Sequence, residues 1–297
     1  MVEAGRKAVV VGFDHSELSR HAVRWAAREA SSRRRPLLLV HVFTWPFEEA
    51  TMVRLPGRDD MLEPLQENLR RELAVLGEDC RQIDPELEVH SDLLFGDPAG
   101  ELGALAEKAE LLVLGGAQVD GGGVLGSTSA EVLASRSGAP VVVVRGDREH
   151  PALEAAPVVV GTDGSATSKL AVGFAYDFAS RHGCELVAVH AWSDLPLDPF
   201  ARVQGWELPW GEVRGEAEEV LAESLAGWGE RYPDVEVRRA ITPEQPAEAL
   251  LREAQEASLL VVGSHGRGRL RRVFLGSVSH VVANRAPCPV AVLRAER

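Results

Sequence analysis

One pattern is written twice in this chain, and that repetition limits what the chain can become. KAVVVGFDHSELSRHAVRWAAREA near the start returns as APVVVGTDGSATSKLAVGFAYDFA, which sets Asp14 opposite Asp163 and Ser16 opposite Ser165. PLLLVHVFTWP returns as ELVAVHAWSDLP, which aligns His41 with His190. ELLVLGGAQVDGGGVLGSTSAEVLASRSGAPVVVVR then returns as the stretch ending at Arg294, aligning Gly115 with Gly263 and Gly126 with Gly276. The offset stays within a residue of 149 throughout, so the chain is a tandem duplication and each copy must reach the same fold. With 297 residues there is room for two domains of ordinary size. The reading is domain 1 over 1–146, a polar linker over 147–156, and domain 2 over 157–297.

Within a copy, short apolar runs alternate with helical periodicity, which predicts an α/β domain with a parallel sheet and helices on both faces. In copy one the expected strands are Ala8 to Gly12, Leu37 to Val42, Val89 to Leu94, Leu111 to Gly115 and Val141 to Val144. A first helix opens after Ser16 with Leu18, Ala22, Val23, Ala26 and Ala27 on one face, and a fourth follows Ser127. Asp97-Pro98 and Gln245-Pro246 each place proline at a first helical position, Asp97 being the better cap. ENLRRELAVLGED and AEEVLAESLAGWGERY read as amphipathic second helices. Trp192 to Trp210, with its tryptophans among prolines and acids, is either a lid or partner surface, or a loop pinned by its own aromatics.

The chemistry concentrates after the apolar run Leu259 to Val262. There the chain carries Gly263, Gly266 and Gly268, four arginines (Arg267, Arg269, Arg271 and Arg272), then Gly276 and Ser277 before a helical pattern begins. Glycines let backbone approach a ligand, and a helix start offers unpaired N–H groups and a dipole that favours anions. Ser277 sits where an N-cap would, so its hydroxyl either satisfies the helix or donates to a phosphate. The arginines either face an anion or form a solvated turn. A Walker A pattern and the dinucleotide fingerprint are both missing from this loop, which disfavours P-loop NTPases and dehydrogenases.

Gly263, two residues, Gly266, nine residues, Gly276, Ser277 resembles the ATP-binding pattern of the universal stress protein family, down to the tetrapeptide Gly263-Ser264-His265-Gly266. The resemblance implies two tandem doubly wound domains, each a five-stranded parallel sheet of order 3-2-1-4-5. In such a sheet the order reverses between strands one and four, and ligands sit at that crevice. The resemblance further implies ATP, with or without Mg2+. Gly161, Thr162 and Asp163 lie at the end of strand one, with Asp163 at the ribose or triphosphate, directly or through a metal. The Ala191 backbone meets adenine; Gly263, Gly266, Gly276, Ser277, Val278 and Ser279 surround ribose and phosphates. Asp163 also reads as a helix cap, His190 as a core residue and His265 as a turn residue.

Copy one departs from the pattern. Gly115 is kept, but Gln118 stands for the second glycine, and the loop to Gly126 is two residues shorter, with Asp120 and Gly121 to Gly123 and no basic residue. Its weaker candidates are Asp14, Val42, Gly115, Gly126, Ser127 and Thr128, so copy one is expected to bind ATP weakly, differently or not at all.

A net charge of −13 argues against nonspecific nucleic-acid or membrane binding. Met1 to Lys7 lacks the apolar core of a signal peptide, and no run approaches a membrane span, so the expectation is a cytoplasmic protein. Cys80, Cys184 and Cys288 have no metal or redox spacing and read as free buried thiols. No carboxylate pair or nucleophile and base emerges, so no catalytic or metal-ligating set is assigned. The leading function is a regulatory stress-response module that binds ATP without efficient turnover. The alternatives are a slow ATPase or nucleotide hydrolase on the same fold, and an interaction module that needs no nucleotide. Each copy ends in a proline-led strand, APVVVVR and CPVAVLR. In the resembled family that strand pairs across a two-fold axis, implying a pseudo-dimer within one chain, with a homodimer and an unknown regulatory partner left open.

Overall fold

The computed structural model describes residues 7–44, 58–119, 122–124, 126–134, 138–145, 156–191, 210–266 and 275–294. The arginine run at 267–272, Gly268, most of the linker and nearly all of the Trp192 to Trp210 segment lie outside these residues. In the first copy the order is β1 (Val9–Gly12), α1 (Glu17–Arg33), β2 (Leu37–Phe43), α2 (Arg58–Ile83), β3 (Val89–Phe95), α3 (Pro98–Ala106), β4 (Leu111–Gly115), β5 (Ala117–Val119), β6 (Gly122–Val124), α4 (Ser127–Ala134) and β7 (Val141–Val144). The second copy follows with β8 (Val158–Gly161), α5 (Ala166–His182), β9 (Leu186–Ala191), α6 (Trp210–Leu225), α7 (Trp228–Arg231), β10 (Val237–Thr242), α8 (Pro246–Glu253), β11 (Leu259–Gly263), α9 (Ser277–Arg285) and β12 (Val290–Leu293). By contacts the chain divides into two compact units, Met1–Ala117 with Gly126–Val144, and Gln118–Leu125 with Arg145–Arg297.

The 3-2-1-4-5 order is present in both copies, as β3-β2-β1-β4-β7 and β10-β9-β8-β11-β12. Neighbouring strands run parallel, with Val9 opposite both Leu37 and Leu111, and Val158 opposite both Leu186 and Leu259. Central strands of such a sheet are covered on both faces, so they are apolar without alternation; Val9 to Val11, Leu111 to Val113 and Val158 to Val160 are all buried. The outermost β3 and β10 instead carry exposed polar residues, including Asp92, Arg238 and Arg239. Charge on an outer strand discourages pairing with a stray chain.

Helix starts are set by local chemistry. Ser16 and Ser165 cap α1 and α5 by accepting from the N–H groups of Ser19 and Ser168. Asp97 accepts from Gly100 N at 2.7 Å, while Gln245 makes no side-chain cap and α8 relies on Pro246 at its first turn. Three sequence expectations need correction. α2 begins at Arg58, well before Glu67, and runs through Pro64. AGWGERY does not continue α6, because Gly227 turns left-handed at φ 79 and starts the separate α7. The glycine-rich stretch of copy one forms a two-stranded ribbon, β5 with β6, and the sequence between these strands is Asp120-Gly121, a strong hairpin signal.

All three cysteines are free and buried. Burial pushes the Cys288 thiol up to about 12, and burial with nearby Asp79 pushes Cys80 up to about 11. Because the thiolate is the reactive form, the native chain at pH 8 is expected to react only slowly with an aromatic disulfide, and all three cysteines to titrate in denaturant. Rapid reaction of any thiol in the native state contradicts this packing.

Candidate functional site

In the second copy, β8, β9 and β11 end together beside the first turns of α5, α8 and α9, and their ends enclose a cavity of about 500 Å³. From β8 come Gly161, Thr162 and Asp163; from β9, Val189, His190 and Ala191; from β11 and its loop, Val262, Gly263, His265 and Gly266; from the start of α9, Gly276, Ser277, Val278 and Ser279. All ten second-copy residues singled out from sequence therefore line one space. Ser168, Pro246 and Leu250 complete the wall. Sequence reasoning missed Pro246 and Leu250, although a proline at a helix start and a leucine one turn later mark the apolar face of α8.

Several side chains have work other than facing the cavity. The Thr162 hydroxyl donates to Ser224 Oγ at 3.0 Å, with Ser168 Oγ at 3.3 Å, in a buried set. His190 Nδ1 donates to the Thr162 carbonyl at 2.7 Å and the residue is buried, the core role expected of it. Asp163 is not the cap of α5, a position held by Ser165; its Oδ1 accepts from Ser165 N at 3.0 Å, just ahead of the helix, while its Oδ2 lies 2.5 Å from where a Cβ on Gly266 would stand.

The loop after β11 is tied at both ends. Thr167, in the first turn of α5, donates from Oγ1 to the His265 carbonyl, and Gly276 N donates to the Ser264 carbonyl at 2.8 Å. Ser279 Oγ lies 2.9 Å from the Gly263 carbonyl and 3.2 Å from that of Ser264, and donates to them. Ser277 is not the N-cap expected from sequence. Gly276 holds that position in an extended conformation with no side-chain cap, and Ser277 is the first helical residue. Ser279 ties the turn down, and among the described residues no side chain caps the first N–H groups of α9, the groups that lack an acceptor within their own helix.

Copy one keeps part of this arrangement. Ser129 Oγ donates to the Gly115 carbonyl at 3.0 Å, as Ser279 does to Gly263, and Gly126, Ser127 and Thr128 form the matching helix start. Val42 ends β2 beside Phe43, half-buried. Leu18 stands where Thr167 stands in copy two, so the clamp on the loop is lost. Asp14 is committed to local bonds, its Oδ1 accepting from Ser16 N at 3.0 Å and Ser16 Oγ at 2.6 Å. Surrounding packing acts to raise its pKa, but the Ser16 bonds outweigh that and hold it below the usual carboxylate range. His15, left-handed at φ 67 where copy two has Gly164, pairs through Nδ1 with Glu72 at 2.9 Å and packs edge-on against His41. Burial lowers the His41 pKa, the Phe13 carbonyl bond opposes this, and neighbouring His15 lowers it further.

The model of the universal stress protein family matches residues 5–145 and, a second time, residues 155–294. This chain belongs to the universal stress protein family. Universal stress proteins of Mycobacterium bovis and Mycobacterium tuberculosis are each 42% identical to it over 294 residues, covering 96% of this chain and 96% of theirs. The crystal structure of a universal stress protein from Archaeoglobus fulgidus covers 98% of this chain and 99% of its own at 22% identity, with a TM-score of 0.69, and shares the fold. A universal stress protein solved in complex with cAMP is 31% identical over 46% of this chain and 95% of its own, with a TM-score of 0.30. Among the described residues no helix is long and apolar enough to cross a membrane.

Proposed function

We propose that this tandem universal stress protein binds ATP in its second copy and serves as a regulatory module in the cytoplasm, holding the nucleotide without efficient turnover. One observation carries the reading: a single cavity of about 500 Å³ joins an apolar wall, a carboxylate and an uncapped helix start. That volume suits a small-molecule site. Pro246, Leu250, Val189 and Ala191 offer the adenine ring an apolar slot, and Asp163 meets the ribose hydroxyls. The first turn of α9 directs N–H groups and the positive end of its dipole at the phosphates.

ATP fits this donor set without a preformed metal centre. Among the described residues no cluster of three or more His, Cys, Asp or Glu would hold an ion alone. Magnesium bound with a nucleotide takes most of its ligands from phosphates and water, with one or two carboxylates, and Asp163 is the carboxylate this cavity provides. Turnover needs a general base; His190 is buried with its Nδ1–H bonded to the Thr162 carbonyl, and the Ser279 and Thr162 hydroxyls donate to the loop and to Ser224.

The test is to denature the purified full chain, identify any released nucleotide by chromatography and mass spectrometry, and titrate the emptied protein with ATP. A single ATP per chain is expected, with an affinity of roughly micromolar, about −8 kcal/mol. Two per chain would show that the ribbon of copy one also permits a site. Neither release nor binding on titration would overturn the reading.

A further inference from the structure

Three hydroxyls are buried together beneath the end of β8: those of Thr162, of Ser168 on α5 and of Ser224 on α6. Each hydroxyl has one proton to give, and two of the three are spent on backbone. Ser168 Oγ donates to the Ser165 carbonyl at 3.0 Å, and Ser224 Oγ donates to the Val220 carbonyl at 2.8 Å. The proton between the hydroxyls therefore comes from Thr162, whose Oγ1 lies 3.0 Å from Ser224 Oγ and 3.3 Å from Ser168 Oγ. Gly164 N stands 3.4 Å from the same Oγ1, on its accepting side. The bonds thus run one way, from the turn that carries Asp163, through Thr162 and Ser224, to the backbone of α6. Ser224 is not among the residues that line the cavity.

Copy one shows that the fold can be built without this chain of bonds. Phe13 stands where Thr162 stands, and its backbone is held in the same way. Phe13 N donates to the Val40 carbonyl at 2.8 Å and the Phe13 carbonyl accepts from His41 Nδ1 at 2.7 Å. Thr162 N donates to the Val189 carbonyl at 2.9 Å and its carbonyl accepts from His190 Nδ1 at 2.7 Å. An apolar ring therefore fills this place in the copy whose glycine loop has diverged, and hydroxyls fill it in the copy whose loop is intact. A buried hydrogen bond adds only modest net stability, but a satisfied network fixes one arrangement of its members. What this network fixes is the residue after Thr162, the Asp163 that lines the cavity.

We propose that Ser224 is a positioning residue: acting through Thr162, it sets the Asp163 carboxylate against the ribose hydroxyls, so that a side chain outside the cavity decides how strongly the ribose is read. The inference rests on the nucleotide reading above, in which Asp163 meets the ribose.

The test measures the affinity of the full chain for ATP and for 2′,3′-dideoxy-ATP, which lacks both ribose hydroxyls, in the unaltered protein, Ser224→Ala and Ser224→Thr. The unaltered protein is expected to prefer ATP by about tenfold or more, the worth of hydrogen bonds to a charged group. Ser224→Ala is expected to cut that preference about fivefold, wholly through weaker ATP binding, with the dideoxy nucleotide bound as before. Threonine keeps a hydroxyl that can bond the carbonyl four residues back, and Ser224→Thr is expected to restore the preference. Should Ser224→Ala fail to fold, Thr162→Val, similar in shape without the hydroxyl, breaks the chain of bonds at its other end and is expected to show the same loss. An unchanged preference in the alanine or valine variant overturns the inference, and so do equal losses for both ligands, the mark of a structural role alone. An unaltered protein that binds the two nucleotides equally also overturns it, whereas one that binds neither overturns the nucleotide reading itself.

Discussion

Replacing Gly263 with valine is expected to destabilise the second copy by about 1–3 kcal/mol, because overpacking a well-filled contact typically costs that much. A Cβ on Gly263 would stand 2.8 Å from Thr167 Oγ1 and 3.0 Å from the Thr167 backbone carbonyl carbon. The hydroxyl can rotate, whereas relieving the contact with the Thr167 backbone requires the first turn of α5 to shift. Gly115 in copy one meets the same obstacle, 2.9 Å from Ser19 N and 3.0 Å from the Leu18 carbonyl carbon. Gly115→Val is therefore expected to cost a similar amount although its loop lacks the second glycine. Denaturant unfolding of both variants checks this, read as a lowered midpoint at constant slope. A Gly263→Val protein as stable as the original would mean that this glycine is kept for a ligand and not for packing.

Gly266→Ala is expected to do the reverse, leaving stability within about 0.5 kcal/mol while weakening ATP binding about tenfold. The position is exposed and Gly266 does not take a left-handed conformation. Its new methyl would lie 2.5 Å from Asp163 Oδ2, the end of a side chain that can swing aside. The substitution thus moves a carboxylate and spares the backbone. Because the effect runs through Asp163, Gly266→Ala should add little in an Asp163→Ala background, a coupling that a double-mutant cycle measures. Fully additive losses, each measured as an ATP affinity by calorimetry, would show that the two residues act separately.

These two glycines show how far the sequence could be read. Their spacing with Gly276 pointed to the cavity, since a strand ending in glycine before a helix start is a local pattern. It did not reveal that Gly263 answers to Thr167, far away in the chain, nor that Gly266 answers to Asp163. The sheet was legible because buried parallel strands need unbroken apolar runs, and VVVG stands at the head of each copy. The helix start after Ser16 and the cap at Asp97 were legible because a cap is a three-residue event, whereas at α5 the cap is Ser165 and not the Asp163 weighed from sequence. Ser277 was misplaced because capping depends on which side chain reaches back, and Ser279 reaches further, to the Gly263 and Ser264 carbonyls. The apolar face of α8 was marked by Pro246 and Leu250, but that it closes this cavity depends on how α8 lies over β8 and β9, a tertiary fact. The ribbon of copy one does have a local signature, since Asp120-Gly121 between AQV and GGV is a hairpin pattern.

The central claim is that the second copy holds the nucleotide between the ends of β8 and β11 and the start of α9. Hydrogen exchange of the full chain with and without saturating ATP tests it most directly, because protection reports which backbone groups a ligand covers. The account predicts slowed exchange in peptides spanning 261–266 and 275–282, with little change across 111–119 and 126–134. Protection confined to the copy-one segments, or none anywhere at saturation, would contradict it.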